Sequence, residues 1–177
     1  MKLLGLLRHA KSDWDDIGLR DFDRGLNNRG RKGAALMGQH IRDQGIAWQQ
    51  VVASPAERVK RTLEAAGIDG NVNWQDRAYL ASSSTLMELL RTVEGSPDSV
   101  LLAGHNPGLQ ELIFDLVPPD AENALFDAAA EKYPTATFAV LELDITDWPE
   151  LEPNCGRLVY LARPRDLDPE LGPEGRE

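Results

Sequence analysis

Three short apolar runs, each broken off by a polar turn that opens a helical pattern, limit what this chain can fold into. Leu3-Leu4-Gly5-Leu6-Leu7 stops at Arg8-His9. Val51-Val52-Ala53 stops at Ser54-Pro55-Ala56-Glu57-Arg58. Val100-Leu101-Leu102-Ala103 stops at Gly104-His105-Asn106-Pro107. Runs of this length without polar alternation fit strands buried on both faces. The segments between them carry helical spacing. Asn27 caps a helix to about Gln44, with Ala34, Ala35, Met37, Gly38 and Ile41 on its inner face. Ser84 caps another through Val93, striped by Leu86, Leu89 and Leu90. Ser54-Pro55 and Asn106-Pro107 each read as a cap followed by proline at the first helical position. Asp13 to Arg24 has no period and reads as a loop, and Val72 to Trp74 as a short edge strand. A helix runs from Asn106-Pro107 to about Leu116, and Thr137–Leu143 and Arg157–Leu161 form a hairpin across a long loop. Strands alternating with helices predict a layered α/β fold.

The pattern occupies residues 1–162 as one domain. From Arg163 to Glu177 the chain is rich in Pro, Gly, Asp and Glu, buries little apolar surface and is expected to be a disordered acidic tail. No apolar run approaches the roughly 20 residues of a membrane helix, so no membrane partner is expected. The apolar N-terminus is too short for a signal peptide, and Arg8-His9 interrupts it where no cleavage site follows. The single cysteine, Cys155, fits a reducing, cytoplasmic location. A net charge of −10 argues against nucleic-acid binding, which needs a basic surface, but leaves room for a local phosphate pocket.

The polar residues at the run ends carry the chemistry. Ligands of α/β sheets bind at the carboxyl ends of strands. If the three ends share one edge, Arg8, His9, Arg58 and His105 converge. Guanidinium forks match phosphate oxygens, helix N-termini favour anions, and a neutral imidazole attacks phosphorus. A single histidine at a strand end is commonly structural. Of the chain's three histidines, however, two fall at such junctions, while His40 lies inside a helix and reads as structural. Arg58 taken alone reads as a surface helix residue. Two histidines and one distant cysteine give no zinc spacing, so no metal is expected.

At these residues the sequence resembles the histidine phosphatase superfamily, in the branch shared with phosphoglycerate mutases. Arg8-His9-Ala10-Lys11-Ser12 is similar to its Arg-His-(Gly/Ala)-x-(Ser/Thr) signature. Leu26-Asn27-Asn28-Arg29-Gly30 matches the element that opens its first helix, and Ser54-Pro55-Ala56-Glu57-Arg58 with Thr62 its Ser-Pro-x-x-Arg-x-x-x-Thr element. Gly104-His105-Asn106-Pro107-Gly108 matches its second histidine motif, and Tyr133-Pro134-Thr135-Ala136-Thr137 a late element of the compact SixA-type phosphohistidine phosphatases. The matches run in the family's order to about residue 162.

The resemblance implies a three-layer α/β/α sandwich with a mostly parallel central sheet and no large cap insertion. It implies a hydrolase in which His9 becomes phosphorylated, while Arg8, Arg58 and His105 bind the phosphoryl oxygens. No metal or organic cofactor is implied. Larger relatives protonate the leaving group with a Glu after the third strand; in that region Asp76 is the nearest candidate acid, with Asp13, Asp21 and Glu88 as others. Weak acid catalysis suits imidazole as leaving group better than an alkoxide. Short inter-motif segments leave little chain for a lid, which favours an open site and a phosphorylated protein as partner. Small phosphate esters or anhydrides are the alternative substrates, and a non-catalytic phosphate-binding module is the third reading. Mutase activity is not expected.

Overall fold

The computed structural model describes residues 1–68 and 70–172. In chain order its elements are β1 (Lys2–Arg8), α1 (Asn28–Asp43), β2 (Gln50–Ala53), α2 (Glu57–Ala66), β3 (Val72–Trp74), α3 (Ser83–Arg91), β4 (Ser99–Gly104), α4 (Gly108–Leu116), α5 (Ala124–Glu131), β5 (Phe138–Leu143), β6 (Gly156–Ala162) and α6 (Pro164–Leu167). The strands make one six-stranded sheet in the order β3-β2-β4-β1-β5-β6. The four strands from β3 to β1 are parallel. β5 runs antiparallel to β1, and β6 antiparallel to β5. This is the α/β sandwich with a mostly parallel sheet that the sequence predicts, without a large insertion.

Side chains alternate across a strand, so each central strand feeds two cores. Val100 and Leu102 of β4 pack with Leu86, Leu90, Leu109 and Leu112 from α3 and α4 on one face. Leu101 and Ala103 pack with Met37, Ile41, Val59 and Leu63 from α1 and α2 on the other. That double burial is why β4 reads as an unbroken apolar run. No helix among the described residues is long and apolar enough to cross a membrane.

The starts of α2, α3 and α4 depart from the sequence reading by one or two residues. Asn27 does cap α1, its Oδ1 accepting from Gly30 N at 2.7 Å. Ser54-Pro55, however, forms a turn ahead of α2, because Ser54 Oγ accepts from Ala56 N at 3.2 Å and also pairs with His105. α3 is capped by Ser82 rather than Ser84, and α4 begins at Gly108, beyond the proline. α5 has no counterpart in the sequence reading.

The expectation of disorder from Arg163 onward is corrected for residues 163–172. Pro164 and Pro169 each start a helical turn, and Asp166 Oδ2 accepts from Arg163 N at 2.9 Å. Asp168 and Glu170 pair with Lys32 of α1 at 3.4 and 3.8 Å, and Arg29 donates to Gly172 O. The acidic residues that make this stretch look unable to fold are counter-ions for α1. Residues 173–177 lie outside the described residues.

α1 and α2 meet closely at Gly38, where an added Cβ would lie 2.1 Å from Ala66 O. The neighbour is backbone and cannot rotate away. Gly38→Ala is therefore expected to cost about 1–3 kcal/mol, as overpacking of a tight interior contact does. Equilibrium urea unfolding should show a lower midpoint at unchanged slope; an unchanged midpoint would mean that the helices part easily.

Candidate active site

The parallel register brings β1, β2 and β4 to a common carboxyl edge. Arg8 is opposite Gly104, and Ala53 is opposite Ala103. The next residues of each strand therefore emerge side by side. His9 N donates to Gly104 O at 3.0 Å, and Ala136 N donates to His9 O at 2.9 Å, pinning the nucleophile candidate between the β4 end and the approach to β5. Ala10 N donates to Thr62 Oγ1 at 2.8 Å, and the same hydroxyl donates to Arg58 O at 2.7 Å. Thr62 thus ties the His9 turn to the helix that carries Arg58, which gives the four-residue Arg58-to-Thr62 spacing a physical role.

His9, Arg58 and His105 are all buried, with the two imidazole centroids 5.4 Å apart. Arg8 Nη1 donates to Tyr133 O at 2.9 Å. Tyr133 also accepts from Asn106 Nδ2 through that carbonyl, and its hydroxyl donates to Leu6 O at 2.7 Å. Tyr133 therefore braces the ends of β1 and β4. The four residues expected to converge do converge.

The tautomer of His9 follows from its neighbour. Nδ1 lies 2.8 Å from Ala10 O, a carbonyl that only accepts, so Nδ1 carries the proton and Nε2 carries the lone pair. Burial, helped by the positive charges of Arg8 and Arg58, holds His9 well below the ordinary histidine range, outweighing the pull of the Ala10 carbonyl. Burial and Arg58 push His105 down to about 3. Its Nε2 shares a 2.8 Å hydrogen bond with Ser54 Oγ, while Nδ1 is buried and has no hydrogen-bond partner. With Ser54 donating, Nδ1–H is a donor waiting for an oxygen; a buried polar group left unmet needs such a partner.

Arg58 is not bare. Its Nη1 donates to Asp21 O at 2.8 Å and its Nη2 to Asp21 Oδ2 at 3.0 Å. Tyr79 OH donates to the same carboxylate, and its ring packs edge-on against His105 at 5.4 Å. Burial alone would raise Asp21, but the hydrogen bonds from Tyr79 and Arg58 outweigh it and keep the carboxyl below its usual range. Burial and Asp21 raise Tyr79, so the phenol keeps its proton.

The carboxylate expected nearest the site is thereby corrected. Asp76 is exposed at the head of a 3-10 turn, residues 76–78, three positions before Tyr79. Glu88 pairs with Arg77 at 2.6 Å on the surface, and Asp13 accepts from Asp15 N. Asp21 is the acid that reaches Arg58. It does so because the 13–24 loop is folded around buried Arg24, whose guanidinium donates to Asp13 O, Asp16 O and Leu19 O, each at 3.0 Å. Ser54, Tyr79 and Tyr133 were given no site role from sequence. The serine's position opposite a strand-end histidine and the tyrosine's place in the Tyr-Pro-Thr element were the available signals.

The model of the histidine phosphatase superfamily (branch 1) matches residues 4–82. An uncharacterised protein of Mycobacterium tuberculosis is 34% identical over 160 residues, which cover 90% of this chain and 100% of the relative. A SixA-type phosphohistidine phosphatase candidate from Nakamurella multipartitia superposes with a TM-score of 0.83 at 29% identity, covering 92% of this chain and 96% of that one. A second, from Agrobacterium tumefaciens, gives 0.75 at 30% identity, covering 91% and 97%. The protein histidine phosphatase SixA solved with tungstate shares the fold, with a TM-score of 0.76 at 20% identity over 94% and 99%.

The depressed imidazoles generate a titration prediction. Between pH 8 and pH 5, NMR of the ring nuclei should show His9 and His105 remaining neutral, with His9 as the Nδ1–H tautomer. Either ring titrating near 6.5 would contradict the buried electrostatics described above.

Proposed function

The chain belongs to the histidine phosphatase superfamily, branch 1, and on that footing we propose that it is a phosphatase that removes the phosphoryl group from phosphohistidine on a protein through a covalent intermediate on His9. The observation that carries the reading is His9 itself. Its Nδ1 is hydrogen-bonded to Ala10 O, which leaves the lone pair on Nε2, and its ring lies 5.4 Å, centre to centre, from a second imidazole.

The steps follow from these groups. His9 Nε2 attacks phosphorus, the bond from phosphorus to the substrate nitrogen breaks with its electron pair going to that nitrogen, and the departing imidazole takes up a proton from solvent water. Arg8, Arg58 and His105 Nδ1–H meet the charge that spreads over the phosphoryl oxygens. Water then attacks the phosphorus on His9, releasing phosphate and restoring the imidazole. Asp21 is held as a carboxylate by Arg58 and Tyr79, so it is a poor proton donor in this arrangement. A nitrogen leaving group needs less acid assistance than an alkoxide, and this favours a phosphoamidate.

The superposition on SixA-type structures at 29% and 30% identity supports the same choice. Small phosphate esters are the second reading, since the phosphoryl-binding groups would serve them equally.

The test is a side-by-side assay of a phosphohistidine protein and a panel of sugar phosphates and nucleotides. Faster turnover of the phosphohistidine protein is expected; preference for a small ester would transfer the assignment to the second reading. His9→Ala should abolish turnover and phosphoenzyme formation. Arg58→Ala and His105→Ala should each slow turnover by about 10²-fold or more, the usual consequence of removing a transition-state donor. Full activity in His9→Ala would end the mechanism.

A further inference from the structure

In the proposed reaction Arg58 meets the phosphoryl oxygens, yet its guanidinium also holds Asp21. The backbone O of Asp21 accepts from Nη1 at 2.8 Å, and its Oδ2 accepts from Nη2 at 3.0 Å. Tyr79 fixes the same carboxylate from the other side, its OH donating to Oδ2. The Tyr79 ring stands edge-on to Phe22 at 5.0 Å and edge-on to His105 at 5.4 Å, with the Arg58 guanidinium carbon 5.8 Å from its centre. His105 in turn lies 5.4 Å from His9. Direct contacts therefore tie the Asp21 carboxylate to Arg58 and, through one ring, to the paired imidazoles.

The carboxylate is held but not buried. Its side chain is 49% exposed, against 6% for Arg58. In-line transfer puts the leaving group opposite the nucleophile. His9 is buried, so the leaving group lies on the open side of the phosphoryl group, where Asp21 is exposed. Burial opposes the charge on Asp21, but the hydrogen bonds from Tyr79 and Arg58 outweigh it and keep the group ionised.

A fixed negative charge at that place treats leaving groups differently. A phosphorylated imidazole that takes a proton from water on its free nitrogen is a cation while still bonded to phosphorus. Attack by His9 Nε2 then sends the electron pair of the phosphorus–nitrogen bond to the ring, which departs as neutral imidazole. A phosphate ester develops negative charge on its departing oxygen instead. The carboxylate attracts the first and repels the second. We propose that Asp21 is a specificity-determining residue, whose carboxylate selects phosphoamidates with a protonated leaving group over phosphate esters. It acts through its charge, and gives up no proton. This selection rests on the phosphatase reading and names the feature of the site that separates its two substrate classes.

Steady-state kinetics of the full chain with N-phosphoimidazole, p-nitrophenyl phosphate and β-glycerophosphate test the assignment. Asp21→Asn removes the charge and little else, since the backbone carbonyl that accepts from Arg58 Nη1 is untouched. The ratio of kcat/KM for N-phosphoimidazole to that for p-nitrophenyl phosphate is expected to fall by about tenfold in Asp21→Asn, as befits one charge several ångströms away at intermediate dielectric. Asp21→Glu, which keeps the charge, should hold the ratio near the wild-type value. A loosened site would slow both probes together, so an unchanged ratio in Asp21→Asn overturns the proposal, as does a ratio in Asp21→Glu as low as that of Asp21→Asn. A loss on β-glycerophosphate as large as that on N-phosphoimidazole also overturns it, because Asp21 would then be donating a proton. Failure of the phosphatase reading would look different: the wild type would turn over none of the probes, and the selection would fall with it.

Discussion

Two arginines and two imidazoles share one largely buried space, and the structure tolerates this only if the imidazoles stay neutral. Charged, they would add two desolvated cations to a region that already holds two. The fold enforces neutrality by burying His9 and His105, and by placing Arg58 and Arg8 beside them. The same arrangement that is unfavourable for a proton is favourable for a phosphoryl group. A tetrahedral dianion brings negative charge to the arginines, and a basic nitrogen is already present to attack it. Asp21 meets Arg58 in the same way, its carbonyl and carboxylate accepting from the two ends of the guanidinium.

Geometry comes from the sheet more than from the loops. Because β1, β2 and β4 are neighbours in parallel register, stepping one residue past each strand lands on the same small area. Backbone hydrogen bonds then hold His9 on both sides, and the Thr62 hydroxyl links its turn to α2. These are short, buried contacts to rigid elements, the conditions under which a reacting atom stays within tolerance of its target. The surrounding surface is assembled differently. The 13–24 loop depends on the single buried guanidinium of Arg24, and the 163–172 segment depends on ion pairs with α1.

That difference explains what could be read from the amino-acid order. Arg8, His9, Arg58 and His105 were legible because strand ends announce themselves as apolar runs meeting polar turns, and parallel strands must end on one edge. Asp21 was not distinguishable from Asp76. Its place after the third strand, where larger relatives carry a Glu, favours Asp76 on sequence, while the structure selects Asp21 through the way Arg24 gathers three carbonyls of the 13–24 loop. The start of α2 was misplaced because Ser54 has two tasks, and its bond to His105 is invisible without the fold. Residues 163–172 looked too acidic to order, since their partners Lys32 and Arg29 lie on a helix far earlier in the sequence.

The central claim is that Nε2 of His9 is the atom that bonds to phosphorus while Arg8, Arg58 and His105 hold the oxygens around it. A crystal structure of the protein with orthovanadate, a mimic of the trigonal phosphoryl group in transfer, addresses this directly. Vanadium bonded to Nε2 of His9, with its oxygens accepting from the two arginines and from His105 Nδ1, is the predicted result. Vanadate bonded through Nδ1, or seated away from residue 9 altogether, would contradict the account.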